Sequence, residues 1–269
     1  MTNLVRSNFQ AHPFHLVSPS PWPLYTTISL LSLTTSFVLT VHGFSNSIYF
    51  LLIAFICLIS SMSLWWRDVI SEGTYLGNHT LAVQRGLNLG IGLFIASEAL
   101  FFLGIFWAYF HSSLSPTIEM GAHWPPMGIQ SVNPFELPLL NTILLLSSGV
   151  TVTYAHHSLI KGDRKGALIG TVYTVILAVI FTLFQGIEYN VSSFTISDGT
   201  YGSCFYFATG FHGVHVIIGT AFIAVGLWRI YAYHVTDNHH LGFEGSILYW
   251  HFVDIVWLFL YVGLYYWGS

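Results

Sequence analysis

The groups in this 269-residue chain best placed to do chemistry are the few acids and histidines inside long apolar runs. Glu98 has Phe94, Ile95, Phe101 and Phe102 three and four positions away, its neighbours on a helix. That setting withholds solvation from a carboxylate and favours its neutral, protonated form. Such an acid either handles protons or holds a lipid, or is a neutral acid satisfied by a neighbouring helix. Asp254 is the second acid inside the runs and follows His251 by three residues, so the two share a helical face. His212 and His215 have the same spacing. Imidazoles can ligate a metal or a haem, but bis-histidine haems need facing histidines at matched depths on adjacent helices. Here His212 and His215 fall mid-run, His251 near one end, and His42 and His111 near the other. The depths pair poorly, so hydrogen bonding between helices is the expected use of all five.

A second set lies in the connections on one side. His12, His15, His79, His156, His157, His234, His239 and His240 give that side eight of the fourteen histidines, a surface able to take and release protons near neutrality. Headgroup contact and simple solvation is the competing reading. Arg67, Glu72, His79 and Arg85 follow Trp65 and Trp66, a combination suited to lipid headgroups: arginine meets phosphate and indole sits at the interface. Membrane anchoring without specificity is the simpler alternative. No Gly-rich phosphate loop supports an ATP-driven pump, and no Gly-x-Ser-x-Gly or paired HExxH supports a hydrolase. Neither lysine lies in an apolar run, which removes a retinal Schiff base.

The elements that must position these groups are membrane helices. Only 7% of residues are charged, where a soluble domain has about a quarter, and 54% are hydrophobic. Runs free of basic residues are placed at about 23–42, 48–66, 87–111, 139–157, 167–187, 203–226 and 247–267, each near the roughly 20 residues that cross a hydrocarbon core. With seven spans, Arg6, Arg67, Arg85, Lys161, Arg164, Lys165 and Arg229 all fall in the tail or the even-numbered connections. Basic residues accumulate on the insertion side, so the tail lies inside and the chain ends outside. Dropping one span would scramble that division. The reading is all-α and polytopic, one membrane domain over 1–269: tail and helices I–II at about 1–66, an inner connection at about 67–86, and helices III–VII at about 87–269.

The first connection (about 43–47) is a tight turn that makes spans one and two a hairpin. The long polar second connection lets that pair stand apart from the other five helices. The third, about 112–138, carries Trp124-Pro125-Pro126, Pro134 and Pro138, which favour an ordered, non-helical loop. Gly166 with Gly170, and Ala208, Thr209, Gly210 and Gly213, supply small residues for close helix approach. Cys57 and Cys204 both lie in runs, so a disulfide framework is not expected, and no signal peptide precedes the first span.

Several stretches carry a resemblance. They include His12-Pro13-Phe14-His15, Ser18-Pro19-Ser20-Pro21-Trp22-Pro23, Trp65-Trp66-Arg67-Asp68, and Phe106-Trp107-Ala108-Tyr109-Phe110-His111. Further along come Ala155-His156-His157, Phe194-Thr195-Ile196-Ser197-Asp198-Gly199, Thr209-Gly210-Phe211-His212-Gly213-Val214-His215, Tyr249-Trp250-His251-Phe252-Val253-Asp254 and the terminal Tyr266-Trp267-Gly268-Ser269. In order and spacing the chain resembles the family of third subunits of cytochrome c oxidase, in its full-length mitochondrial form.

The resemblance implies seven helices, two split from five by a V-shaped, lipid-filled cleft. It implies an accessory subunit of the mitochondrial inner membrane with its N-terminus in the matrix and its C-terminus in the intermembrane space. The whole complex oxidises cytochrome c, reduces oxygen to water and pumps protons. Haem a and copper are expected in partner subunits, and this chain is expected to bind no metal and to hold no catalytic residue. Its implied partners are the catalytic haem-copper subunit, the other subunits of the oxidase and structural phospholipids, with no nucleic acid. By position, Trp66, Arg67, Glu72, His79 and Glu98 would line lipids, and Arg229 with His234 would meet headgroups. His12, His15, His156, His157, His239 and His240 are the candidates for a proton antenna feeding a neighbouring subunit.

Overall fold

The structure is a computed structural model that describes residues 12–269; Arg6 lies outside the described residues. Seven helices are each long and apolar enough to cross a membrane. They are α1 (Trp22–Val41), α2 (Ser47–Thr74), α3 (Leu81–Leu114), α4 (Leu137–Ile160), α5 (Arg164–Val191), α6 (Gly199–Tyr231) and α7 (Leu241–Leu260), the last running on into a π-type segment, Tyr261–Tyr266. A single 3-10 turn, Ile118–Met120, interrupts the long third connection. In a bilayer core every backbone N–H and C=O must be satisfied within its own segment, so continuous helix is the form these runs must take.

The helices outrun the expected spans at their polar ends. The clearest difference is the second connection. Helix α2 continues through Arg67, Asp68 and Glu72 to Thr74, and α3 starts at Leu81, leaving Tyr75–Thr80 as the turn. No proline stands between Arg67 and Gly86 to stop either helix, and an arginine or glutamate costs little in a helix once it has cleared the hydrocarbon. The third connection is ordered, as its prolines suggested. Trp124 packs edge-on to Tyr109, at 5.5 Å between ring centroids, and lies 5.3 Å from Tyr201.

The chain divides into two compact units within α3, Met1–Leu87 and Asn88–Ser269. In the first, α1 lies against α2. Its buried positions are small: Ser29 and Ser36 on α1, and Ser47, Ala54 and Ser61 on α2. Each set recurs every seven residues, which keeps one seam facing the partner helix. Lipid is as apolar as leucine, so large side chains gain nothing by turning inward, while small ones let the helices approach. Thr26 donates across this seam to Ser61 at 3.2 Å, and the Trp22 indole N–H donates to Asp68 at 2.6 Å.

In the second unit α4 packs on α5, α5 on α6, α6 on α7, and α7 back on α4. Gly162, at φ +79°, makes the tight α4–α5 turn, and the Asp163 carboxylate caps α5 by accepting from the Gly166 N–H at 3.1 Å. The two helices close on Gly170, where a Cβ would stand 2.9 Å from both the Ala155 Cβ and the Thr151 carbonyl. Of the small patch on α6, Ala208 and Thr209 are buried, while Gly210 and Gly213 have nothing within 4 Å of a Cβ among the described residues. Helix α7 is held by two buried indoles: Trp250 donates to the Ser148 hydroxyl at 2.9 Å and Trp257 to that of Thr142 at 3.0 Å. A polar bond between membrane helices is worth about 0.6–2 kcal/mol, so these two, nearly two turns apart on α4, fix the register of α7.

Candidate functional site

Glu98 is half-buried on α3, and its Oε2 lies 2.8 Å from Nε2 of His215 on α6. The other ring nitrogen, Nδ1, stands 2.7 Å from the Phe211 carbonyl, which can only accept. Nδ1 therefore carries a hydrogen. In the neutral ring Nε2 is then a bare lone pair, so a proton must lie between it and Glu98. The pair is either a neutral acid donating to a neutral imidazole or an ion pair, and in both forms its net charge is zero. Phe102 and Tyr249 enclose the imidazole, at 5.0 and 6.3 Å between centroids.

Its neighbour His212 turns elsewhere. Nε2 lies 3.2 Å from the Val253 carbonyl, and the ring packs between Phe181 and Trp257. His251 places Nε2 3.3 Å from the Thr153 hydroxyl and Nδ1 3.7 Å from Asp254. These three are bonded across helices as expected, whereas His42 and His111 are exposed and show no such bond among the described residues. Asp254 faces Gly149, where a Cβ would fall 2.6 Å from Oδ2; the glycine makes room for the carboxylate.

One buried acid escaped the sequence reading. Glu188 lies one residue beyond the span drawn for α5, yet the helix runs to Val191 and the residue is 2% exposed. Tyr265 donates to its Oε1 at 2.6 Å and the Gln185 amide at 3.2 Å; Gln185 in turn accepts from Asn141 at 3.3 Å. The i, i+3 pair Gln185 and Glu188, at the end of a run whose other buried polar residues are Thr171 and Thr174, was the available signal.

The predicted headgroup residues separate into distinct settings. In the first unit, His15, Glu72 and His79 converge, with His15 Nδ1 3.9 Å from Glu72 and the two imidazoles 6.4 Å apart. Thr80 donates to the Pro13 carbonyl and so ties the tail to the α2–α3 turn. Arg67 turns instead to Asp68, at 2.8 Å, and Trp66 is exposed. In the second unit the His234 N–H donates to the Arg229 carbonyl at 2.9 Å, and its ring packs on Trp228 at 5.0 Å. The basic groups of this unit gather at one end: Arg164 donates to the Ile230 and Tyr231 carbonyls at 3.2 and 2.7 Å, closing the start of α5 onto the end of α6.

The antenna candidates are not equivalent. His12 and His157 are exposed, while His156, His239 and His240 are partly buried. His240 lies 3.0 Å from Glu244, and the His156 ring stands 5.5 Å from that of His240. Burial, then the charges of Arg229 and His240, push the His239 imidazole below its ordinary range. It is thus a weaker proton acceptor at neutrality than an exposed histidine.

Comparison with known proteins bears on the whole chain. The family model described as cytochrome c oxidase subunit III matches residues 12–269. Among curated relatives, the chain is 74% identical to cytochrome c oxidase subunit 3 of Podospora anserina and 72% identical to that of Neurospora crassa, each over the full length of both chains. It is 60% identical to the protein of that name from Mycosarcoma maydis, over all of this chain and 99% of the relative.

Proposed function

The chain belongs to the cytochrome c oxidase subunit III family, and from that premise we propose that it serves as a non-catalytic subunit of the mitochondrial oxidase. In that role it holds phospholipids, steadies the catalytic haem-copper subunit and supports proton uptake on the matrix side, while haem a and copper reside in partner subunits. The observation that carries this reading is the match over the entire chain to relatives of that name. The site chemistry supports it. His212, His215 and His251 spend their ring nitrogens on Val253, Phe211, Glu98, Thr153 and Asp254, so each has a use that needs no haem. His15, Glu72 and His79 offer mixed charge for a zwitterionic or anionic headgroup, with the Trp66 indole exposed nearby in sequence for the interface. The matrix side is assigned to the end bearing Lys161, Arg164, Lys165 and Arg229 by the same insertion bias that placed the tail.

The test is a reduced-minus-oxidised visible spectrum of the gently purified native complex, repeated after this chain is stripped away. The haem signal should stay wholly with the remaining subunits. Haem leaving with this chain would overturn the reading and make His212, His215 and His251 ligand candidates.

A further inference from the structure

At the basic end of the second unit three ligand atoms converge, two of them imidazole nitrogens that make no hydrogen bond among the described residues. His156 lies one turn before the end of α4, His240 precedes α7, and Glu244 lies one turn into α7. One ligand atom from each falls within 4.8 Å of the other two. His240 Nδ1 is 3.0 Å from the Thr236 carbonyl, an acceptor only, so Nδ1 carries the hydrogen and Nε2 presents its lone pair. His240 Nε2 lies 3.0 Å from Glu244 Oε1, and His156 Nε2 stands 3.9 Å from the same oxygen. Both Nε2 atoms are buried and make no hydrogen bond among the described residues. Two acceptors 3.0 Å apart repel unless a cation lies between them. A single proton would answer for His240 and Glu244 but would leave His156 unanswered.

We propose that His156, His240 and Glu244 form a binding site for a divalent first-row metal ion of the zinc class, with water completing the coordination. Two imidazoles and a carboxylate are borderline ligands that suit zinc better than magnesium or calcium. The Thr236 carbonyl on His240 is the outer-shell contact that metal-bound histidines use to fix tautomer and ring orientation. Ligands about 2.0 Å from a tetrahedral ion lie about 3.3 Å apart. The two spacings to Glu244, 3.0 and 3.9 Å, bracket that value, and the two imidazole nitrogens lie within 4.8 Å of each other. Glu244 is 43% exposed at its side chain and provides the way in. Binding would pin the end of α4 to the start of α7.

The experiment uses the complete oxidase, washed with chelator and titrated with Zn²⁺ alone, with bound zinc counted by mass spectrometry after equilibrium dialysis. Loss of an outer-shell contact costs about 10- to 100-fold in affinity, so His240→Asn or His156→Asn should cost at least about 100-fold and remove one equivalent per complex. His157→Asn, at the exposed neighbour, should retain it. X-ray absorption on the unaltered complex, minus that of the His240→Asn complex, should show two imidazole nitrogens near about 2.0 Å. Equal stoichiometry and affinity in the His156 and His240 variants, or a difference spectrum without imidazole, would overturn the site. Where His240→Asn fails to assemble, the absorption difference between the zinc-loaded and chelator-washed unaltered complex replaces it, and a difference without imidazole nitrogen near about 2.0 Å overturns the site.

Discussion

The Glu98–His215 pair shows how far tautomer logic reaches from heavy atoms. Because the Phe211 carbonyl fixes the hydrogen on Nδ1, the bond to Glu98 needs a proton supplied from the acid or held by an imidazolium. A glutamine can replace that donor with its amide; an alanine cannot. Glu98→Gln should therefore leave thermal stability of the assembled complex nearly unchanged. Glu98→Ala should lower it by about 1–2 kcal/mol, the upper range for a polar bond between membrane helices. Differential scanning of the two variant complexes checks this, and equal losses would show that the proton between the two groups is not what holds them. At this scale the sequence showed which acid was unusual, since its aromatic neighbours are local in the chain. It did not show the partner, because His215 lies 117 residues away and only the packing of α3 on α6 selects it over His212.

Elements were legible where composition governs and obscure where polar ends begin. Apolar runs identify seven helices because lipid leaves the backbone no other choice. Their ends were misjudged, in α2 and α5 above all, because a helix does not stop where the hydrocarbon stops. That error made a connection out of Arg67–Thr74 and kept Glu188 out of its helix. The seam of Ser29, Ser36, Ala54 and Ser61 was in plain view but carries no hydropathy signal, since the informative residues are the small ones. The α6–α7 connection yields a prediction of its own. His239 is held below its ordinary range by burial and by the charges of Arg229 and His240, so the folded turn binds a proton less readily than the unfolded chain. Its contribution is fully present above about pH 6.5 and is lost as pH falls from there through the folded value. Hydrogen exchange corrected for intrinsic rate should thus show protection across 232–240 falling on acidification below that point. His239→Gln should flatten the response. Protection that rises on acidification would mean that the proton is welcomed, and that the burial of this ring does not govern its titration.

At the scale of the whole molecule the governing fact is an odd number of spans joined to a lopsided distribution of seven basic residues. Within the second unit the structure gathers Arg164 and Lys165 at the start of α5 with Arg229 at the end of α6, as alternation of the helices demands. Loss of α5 or α6 alone from the count would split this set between the two faces. From seven spans and the insertion bias we expect the termini on opposite sides, with the basic connections on the insertion side. Single cysteines at Lys165 and at Ser269, in a chain whose Cys57 and Cys204 are replaced by serine, would read this directly. In mitochondria stripped of their outer membrane, an impermeant maleimide should label the Ser269 position and spare the Lys165 position until the inner membrane is opened. Glu188, Gln185 and Tyr265 then lie toward the intermembrane space, and the His156–His240–Glu244 cluster toward the matrix, since α5 and α7 carry them at opposite ends. The reverse labelling would exchange those assignments and remove the matrix histidines from any part in proton uptake, while leaving every contact between the helices as it stands.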